Sequence, residues 1–187
     1  GSRPAGTCMK TPLMLLHGWG FSSRIWQPLI KQLHNEWPGP VLAVDLPGFG
    51  SAYHEPCASL EDALAYILQQ LPAQSVLCGW SLGGMLATQI AARWPARVTG
   101  LVTIASNLHF TGSAGWPGMP AADYQQFCER FSLQPEKTWR RFLSLQTRGE
   151  AMAERHSITL DMLADFHDMD IDTATHLLQV LGEIDNR

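Results

Sequence analysis

The first 110 residues alternate short runs of consecutive apolar residues with longer segments whose apolar residues recur at helical spacing. Continuous apolar runs of four to eight residues are typical of buried parallel strands, and the run at 98–105 reads as a strand buried on both faces. The runs lie at residues 13–16, 41–44, 75–78 and 98–105. Alternation of strand and helix predicts an α/β fold, a parallel sheet flanked by helices.

Two of the intervening segments show clear helix signals. Ser22 or Ser23 can cap a helix that presents apolar residues every three to four positions and ends near the Pro-Gly-Pro breaker at 38–40. Ser59 caps a second helix, which Pro72 stops. Serine at a helix start and proline or glycine beyond its end are the expected boundary residues.

The pattern changes past about residue 112. The stretch 112–120 is rich in Gly and Pro, and the periodic segments beyond it all read as helices. The predicted helices span residues 121–131, 136–148, 150–167 and 172–181. The last has one apolar stripe, made of Ile171, Ala174, Leu177, Leu178 and Leu181, which is typical of a helix packed on a neighbour. We therefore predict an all-helical cap inserted after the strand that ends near Ala105.

Composition narrows the possible functions. The 187 residues are 45% hydrophobic, which suits one domain, and the net charge of −4 with a pI of about 5.9 does not suggest nucleic-acid binding. We expect no membrane span, since no window approaches about 18 apolar residues. Neither a metal nor a cofactor site is expected, because the cysteines lack metal-like spacing, and a reducing cytoplasm is the simplest location. These cysteines are Cys8, Cys57, Cys78 and Cys128.

The segment Gly79-Trp80-Ser81-Leu82-Gly83 joins an apolar run to a helix-forming stretch. A serine on so sharp a strand-to-helix turn takes a strained backbone conformation, and side chains two residues to either side would collide. The alternative is a glycine-rich structural turn. We favour Ser81 as a nucleophile, because two other strand ends carry loops that fit the same chemistry.

Those loops are His17-Gly18-Trp19-Gly20 and the stretch from Asp45 to Gly50. The first can aim backbone N–H groups at a developing oxyanion, and Asp45 is expected to brace its own loop. Three such strand-plus-loop units in this order resemble the α/β-hydrolase superfamily over roughly residues 11–110. The resemblance implies an α/β-hydrolase core at 1–112, the helical cap at 113–182 and the start of a return to the core at 183–187.

Longer motifs in both core and cap are similar to the pimeloyl-acyl carrier protein methyl ester carboxylesterase family of biotin synthesis. These motifs occupy residues 15–20, 45–50, 79–84, 101–106, 116–118 and 141–147. The resemblance implies a carboxylesterase whose substrate is a methyl-protected seven-carbon dicarboxylate carried on an acyl carrier protein. A generic short-chain carboxylesterase or lipase-like hydrolase is the alternative.

The resemblance assigns a role to each candidate residue. Ser81 attacks the ester carbonyl, and the backbone N–H groups of Trp19 and Leu82 hold the oxyanion. Trp19 and Trp80 wall the acyl channel, and Phe142 from the cap closes over it. No cofactor takes part.

Basic residues are concentrated in the cap. Residues 130–155 contain six Lys or Arg and three acidic residues, and Lys137 and Arg141 lie four apart on one helical face. A solvated helix face is the simplest explanation. The family's cap arginines match at Arg141 and, as a lysine, at Lys137, so the resemblance implies that these two residues dock the acidic carrier.

A triad also needs an Asp and a His after the serine, in that order. No segment after residue 112 reads as a strand, so we identify neither residue in this chain, and His109, just past the strand end at Ala105, is a poor substitute. We therefore expect a core that is C-terminally incomplete, a 187-residue chain that is inactive alone, and one strand left as an open edge. The alternative class is a non-catalytic relative that acts only as a binding module.

Overall fold

The protein is described here by a computed structural model, which covers residues 10–149 and 151–187. Its strands are β1 (Leu13–Leu16), β2 (Val41–Val44), β3 (Ser75–Trp80) and β4 (Val98–Ile104). Its helices are α1 (Gln27–Leu33), α2 (Leu60–Gln70), α3 (Leu82–Arg93), α4 (Ala121–Leu133), α5 (Pro135–Leu145), α6 (Ala153–Leu163) and α7 (Ile171–Glu183). Short 3-10 turns at Ser23–Trp26 and Phe166–Asp168 precede α1 and α7.

The four strands form one parallel sheet in the order β2-β1-β3-β4. β1 is fully buried, since each of its residues is at most 6% exposed. It pairs with β2 on one side and with β3 on the other, where Leu16 lies opposite Gly79. The predicted parallel sheet flanked by helices is therefore confirmed.

The prediction that 98–105 is buried on both faces was wrong. β4 pairs with β3 and packs beside α3, but among the described residues no strand pairs with its outer edge. Val102 and Ile104 are consequently 48% and 42% exposed. The apolar run is typical of a strand inside a sheet, but in this structure β4 lies at the edge of the sheet.

The helix boundaries follow the predicted caps. The Ser22 hydroxyl accepts from the N–H of Arg24 at the start of the 3-10 turn, and the Ser59 hydroxyl accepts from the N–H of Asp62 in α2. In the cap, α5 ends at Leu145 rather than at 148, because the chain turns there and Gly149 takes a φ of +88°. Residue 150, the predicted start of the third cap helix, lies outside the described residues, and α6 begins at Ala153.

The predicted apolar stripe of α7 packs into the main core. Four of its five residues are at most 6% exposed, and Ile171 is partly buried against the same cluster. The segment before α7 is tied to the core loop after β2, because the N–H of Asp170 donates to the Gly48 carbonyl across 2.8 Å. A smaller cluster on the other face of the sheet contains Leu15, Trp26 and Cys78.

Two expectations drawn from composition, on the cysteines and on membrane spans, can be compared with the described residues. Cys57, Cys78 and Cys128 are free thiols, and Cys8 lies outside the described residues. No helix in the described ranges is long and apolar enough to cross a membrane. The division into a core at 1–112, a cap at 113–182 and a return segment at 183–187 stays a prediction.

Candidate active site

The candidate site lies where the strand order reverses. β1 and β3 are neighbours in the middle of the sheet. After β1 the chain continues to β2 on one side, and after β3 it continues to β4 on the other side. In open parallel sheets, the crevice at the carboxyl ends of such strands is the usual ligand site. The loop after β1 and the turn after β3 therefore meet at this edge. A Cβ atom added to Gly18 would lie 3.3 Å from Cβ of Ser81, which shows how closely they approach.

Ser81 forms the predicted sharp turn between β3 and α3. Its backbone has φ 53° and ψ −119°, one of two positive φ values among described non-glycine residues. Such a conformation stores roughly 1–3 kcal/mol and persists only where the surroundings enforce it. Here β4 enforces it, because the N–H of Ser81 donates to the Ile104 carbonyl and the Ser106 hydroxyl donates to the Ser81 carbonyl, each across 3.0 Å.

The glycines around Ser81 are required because a side chain would not fit at their positions. A Cβ atom at Gly79 would collide with the backbone of Gly83 and Gly84. A Cβ atom at Gly83 would collide with the carbonyls of Leu16 and His17 at the end of β1. The turn can pass over the sheet edge only because these positions lack side chains, as the sequence predicted.

Trp19 and Leu82 supply the two predicted oxyanion donors. Leu82 is the first residue of α3, where N–H groups have no partner within the helix and the helix dipole favours negative charge. Within the described part of the chain, neither N–H donates to a backbone acceptor. Both lie beside Ser81, one directly after it in sequence and one on the loop packed against it.

His17 fixes the direction of the Trp19 N–H. Its ring is fully buried, its Nδ1–H donates to the Gly18 carbonyl across 2.7 Å, and its Nε2 accepts from the N–H of Leu46 across 2.9 Å. The Gly18 carbonyl and the Trp19 N–H belong to one trans peptide and so point in opposite directions. Burial lowers the pKa of His17 to about 4. The hydrogen bond to Gly18 and the charge of Asp45 raise the pKa but by less, so the ring is neutral at neutral pH.

The cap also holds this loop, in a way that the sequence did not suggest. Nε1–H of Trp139 in α5 donates to the Gly20 carbonyl across 2.7 Å. Nε1–H of Trp19 donates to the Ala174 carbonyl in α7 across 2.8 Å. Helices α5 and α7 therefore anchor the candidate oxyanion residue Trp19 and the residue that follows it, Gly20.

Aromatic rings connect the candidate substrate-binding residues. Phe142 packs edge to face on Trp19 with ring centroids 5.4 Å apart, and it also contacts Phe21, whose ring lies 4.7 Å from that of Trp80. Phe127 and Phe131 of α4 complete the group around Trp19. The structure thus brings Trp19, Trp80 and Phe142 together through Phe21. Phe21, Phe127 and Phe131 were missed because single aromatic residues show no pattern that marks them.

Asp45 braces its own loop, as expected. Its carboxylate accepts hydrogen bonds from the N–H of Ser23 and from both the N–H and the hydroxyl of Ser51. Burial raises the pKa of Asp45, but these hydrogen bonds outweigh it and the net pKa is lowered. Asp45 therefore serves the loop structure.

The histidines after the serine are engaged elsewhere. Nδ1 of His109 lies 2.7 Å from the Thr111 carbonyl, and Nδ1 of His176 lies 3.0 Å from the Cys57 carbonyl. Among the described residues, no hydrogen bond joins a histidine to the Ser81 hydroxyl. The described residues likewise contain no cluster of His, Cys, Asp and Glu that could hold a metal ion.

Lys137 and Arg141 are exposed residues of α5. Both line a groove of about 620 Å³ between α4 and α5, together with Phe127 and Phe142. Ser81 is not among the residues that line it. The groove and the oxyanion loop are separated by one layer of aromatic rings, because Phe127 and Phe142 also pack on Trp19.

Comparison with known proteins decides the family. Residues 13–183 match the alpha/beta hydrolase family. The chain belongs to this family.

Relatives of this alpha/beta hydrolase include a protein named as a methyl ester esterase and one named as a biotin biosynthesis protein. It is 40% identical over 146 residues to the pimeloyl-[acyl-carrier protein] methyl ester esterase of Pectobacterium carotovorum, covering 78% of this chain and 56% of that protein. It is 40% identical over 176 residues to a bifunctional biotin biosynthesis protein of Cellvibrio japonicus, covering 94% of this chain and 34% of that protein. The chain thus spans about half the length, or less, of these relatives.

Solved structures confirm the fold. The alpha/beta hydrolase superposes on an esterase from Exiguobacterium antarcticum with a TM-score of 0.79 and 21% identity, covering 95% of this chain and 68% of that one. An enol-lactonase from Burkholderia xenovorans gives a TM-score of 0.75 at 18% identity, covering 95% and 66%. The predicted fold class is therefore confirmed, and the family match over residues 13–183 confirms the predicted superfamily.

Proposed function

We propose that this alpha/beta hydrolase is a serine carboxylesterase that hydrolyses the methyl ester of a pimeloyl group carried on an acyl carrier protein. The observation that supports it most is the strained Ser81 turn, placed beside two N–H groups at the switch point of the sheet. The names of the relatives supply the substrate class, since the proteins from Pectobacterium and Salmonella are named pimeloyl-[acyl-carrier protein] methyl ester esterases.

The chemistry follows from the geometry. Ser81 Oγ attacks the ester carbonyl carbon, and the carbonyl oxygen becomes an oxyanion that accepts from the N–H groups of Trp19 and Leu82. Each such donor contributes roughly a hundred- to a thousandfold in rate. Methanol leaves with a proton, water then attacks the acyl-enzyme, and the free carboxylate departs on its carrier. The proposal assigns no base or triad Asp within residues 10–149 and 151–187.

The aromatic residues complete the site. Trp19 and Trp80 would contact the acyl chain, and Phe142 would close over it from the cap. The rings of Phe21 and Phe142 join the two tryptophans into one apolar wall, which suits the methylene chain of a dicarboxylate monoester.

The carrier would dock on the cap through Lys137 and Arg141. Both side chains are exposed, and no acidic side chain of the described residues lies within 4.0 Å of either. An acidic carrier would therefore meet unpaired positive charges.

The proposal also places the protein in a reducing cytoplasm. The free thiols of Cys57, Cys78 and Cys128 agree with this location.

Complementation tests this function. A bacterium that lacks its own pimeloyl-acyl carrier protein methyl ester esterase should grow without biotin when it receives the gene that encodes these residues, from natural start to natural stop. The same gene with Ser81→Ala should not support growth. Growth with neither gene, while the purified product hydrolyses free short-chain methyl esters, would favour the generic carboxylesterase. Binding of the carrier without hydrolysis of any ester would favour the binding module.

A further inference from the structure

The groove between α4 and α5 contains more binding features than the two residues that the family resemblance singles out. α4 ends at Leu133 and α5 begins at Pro135, so the two helices meet at a tight corner. The N–H of Gln134 at this corner donates to the Arg130 carbonyl, and the N–H of Thr138 donates to the Gln134 carbonyl. Arg130 therefore sits in the last turn of α4, close to the first turn of α5.

Three cations line the groove from its two walls. Arg130 lies on the α4 wall, and Lys137 and Arg141 lie on the α5 wall. No acidic side chain of the described ranges comes within 4.0 Å of these three. Arg140, on the same helix but outside the groove, differs, since its guanidinium contacts the Glu136 carboxylate at 2.8 Å. The groove thus carries three cations that have no carboxylate partner among the described residues.

The groove also exposes apolar side chains beside these charges. Leu133 at the end of α4 is 81% exposed and Leu145 at the end of α5 is 47% exposed, and both line the groove. Leu133 is the most exposed of the large apolar residues found exposed in the described chain. Exposed apolar residues within a charged rim are typical of a surface that a partner covers.

We propose that Arg130 and Leu133, on the α4 wall of the groove, contact the acidic carrier in addition to Lys137 and Arg141 on the α5 wall. This inference rests on the proposed function, which supplies the acyl carrier protein as the partner. The contacts named there, Lys137 and Arg141, both lie on α5. Charge complementarity selects the occupant, because the lining residues hold three cations and a single carboxylate, that of Asp123. A partner bound here lies one aromatic layer from Trp19, because Phe127 and Phe142 both line the groove and pack on Trp19.

The test measures the dissociation constant of the acylated carrier for the protein, using Ser81→Ala as the background so that no substrate is consumed. Arg130→Glu should weaken binding by about tenfold, as Lys137→Glu and Arg141→Glu should, since close charges across an interface are coupled. Leu133→Gln should weaken it at least about threefold through lost apolar contact. Asp123→Asn should tighten it.

Each variant has a matched control. Lys31→Glu makes the same charge change on α1, and Arg140→Glu makes it on α5 outside the groove. Met162→Gln alters a side chain on α6 that is 72% exposed and does not line the groove. Lys31→Glu and Met162→Gln should change the dissociation constant less than about twofold, and Arg140→Glu should weaken binding less than Arg141→Glu does, because none of these three side chains lines the groove.

The outcomes separate the two proposals. If the unmodified protein hydrolyses the carrier-bound ester and Ser81→Ala does not, while Arg130→Glu and Leu133→Gln bind the carrier like their controls, the groove inference is wrong and the proposed function stands. If the unmodified protein hydrolyses free methyl esters and does not bind the carrier, both are wrong. Equal weakening by Arg130→Glu and Lys31→Glu also contradicts the inference, since it would reflect net charge alone.

Discussion

The hydroxyl of Ser106 donates a hydrogen bond to the carbonyl oxygen of Ser81 across 3.0 Å. This bond ties the residue just beyond β4 to the backbone of Ser81, the candidate nucleophile, whose strained conformation persists only where its surroundings enforce it. The end of β4 and the residue that follows it therefore support the Ser81 turn.

Replacing Ser106 by Ala should loosen the turn. We expect kcat/KM for ester hydrolysis to fall roughly tenfold and the free energy of unfolding to fall by about 1 kcal/mol, the value of one hydrogen bond. Steady-state kinetics and urea unfolding measure these quantities. Ser113→Ala, at an exposed position of the loop that follows, is the control, and equal activity of the two variants would contradict the role of Ser106.

Protonation of His17 should destabilise the fold at mildly acidic pH. Its pKa is about 4 in the folded protein and about 6.5 in an unfolded chain, so the unfolded state binds more protons between these values. Stability is therefore fully present above pH 6.5 and is lost as the pH falls toward 4, by up to about 3 kcal/mol. Chemical unfolding at pH 7.5, 5.5 and 4.5 measures this.

The control for this pH dependence is His54→Gln. His54 is exposed, so its removal should leave the slope of stability against pH unchanged. A free energy of unfolding that stays constant from pH 7.5 to 4.5 would show that His17 is not a buried neutral ring.

A methyl group at Gly83 should disrupt the nucleophile turn. Gly83→Ala places a Cβ atom against the backbone carbonyls of Leu16 and His17, which cannot move aside as a flexible side chain could. We expect a loss of about 3 kcal/mol, at the upper end for overpacking, and loss of activity.

Gly100→Ala in β4 is the matched control, because its Cβ atom would lie 3.5 Å from the Val76 side chain, an ordinary contact. Its free energy of unfolding should change by less than about 1 kcal/mol. Similar unfolding midpoints for both variants would mean that the turn has room that the structure does not show.

The exposed edge of β4 should promote self-association of the 187-residue chain when it is purified alone. Leu101, Val102 and Ile104 are at least 40% exposed along an edge with no partner strand in the described chain. A charge on such an edge opposes pairing with another copy. Val102→Lys should therefore reduce light scattering at high concentration, whereas Met162→Lys on α6 should not, and equal scattering from both variants would point to another surface.

The sequence predicted the features that depend on neighbouring residues. The strand, turn and helix around Ser81 and the need for Gly79 and Gly83 follow from a short segment, in which backbone geometry and sterics leave few alternatives. The caps at Ser22 and Ser59 were predictable for the same reason.

Features that depend on distant residues were not predictable. The hydrogen bonds from Trp139 to Gly20 and from Trp19 to Ala174 join residues 119 and 155 positions apart. Burial of β4 was predicted wrongly, because an apolar run indicates that a strand can be buried but does not show which elements lie beside it. Carrier docking was predicted only for the two cations on α5, although Arg130 was counted among the basic residues, because the approach of Arg130 to them depends on how two helices meet.

The central claim is that Ser81 is the nucleophile that hydrolyses a carrier-bound methyl ester. The most direct measurement is the rate of methanol release from the pimeloyl-carrier methyl ester by the product of the natural gene, compared with its Ser81→Ala variant. We expect steady release by the unmodified protein and a loss on the order of a millionfold in the variant, the effect of removing the nucleophile of a comparable triad. Equal rates from the two proteins would contradict the claim.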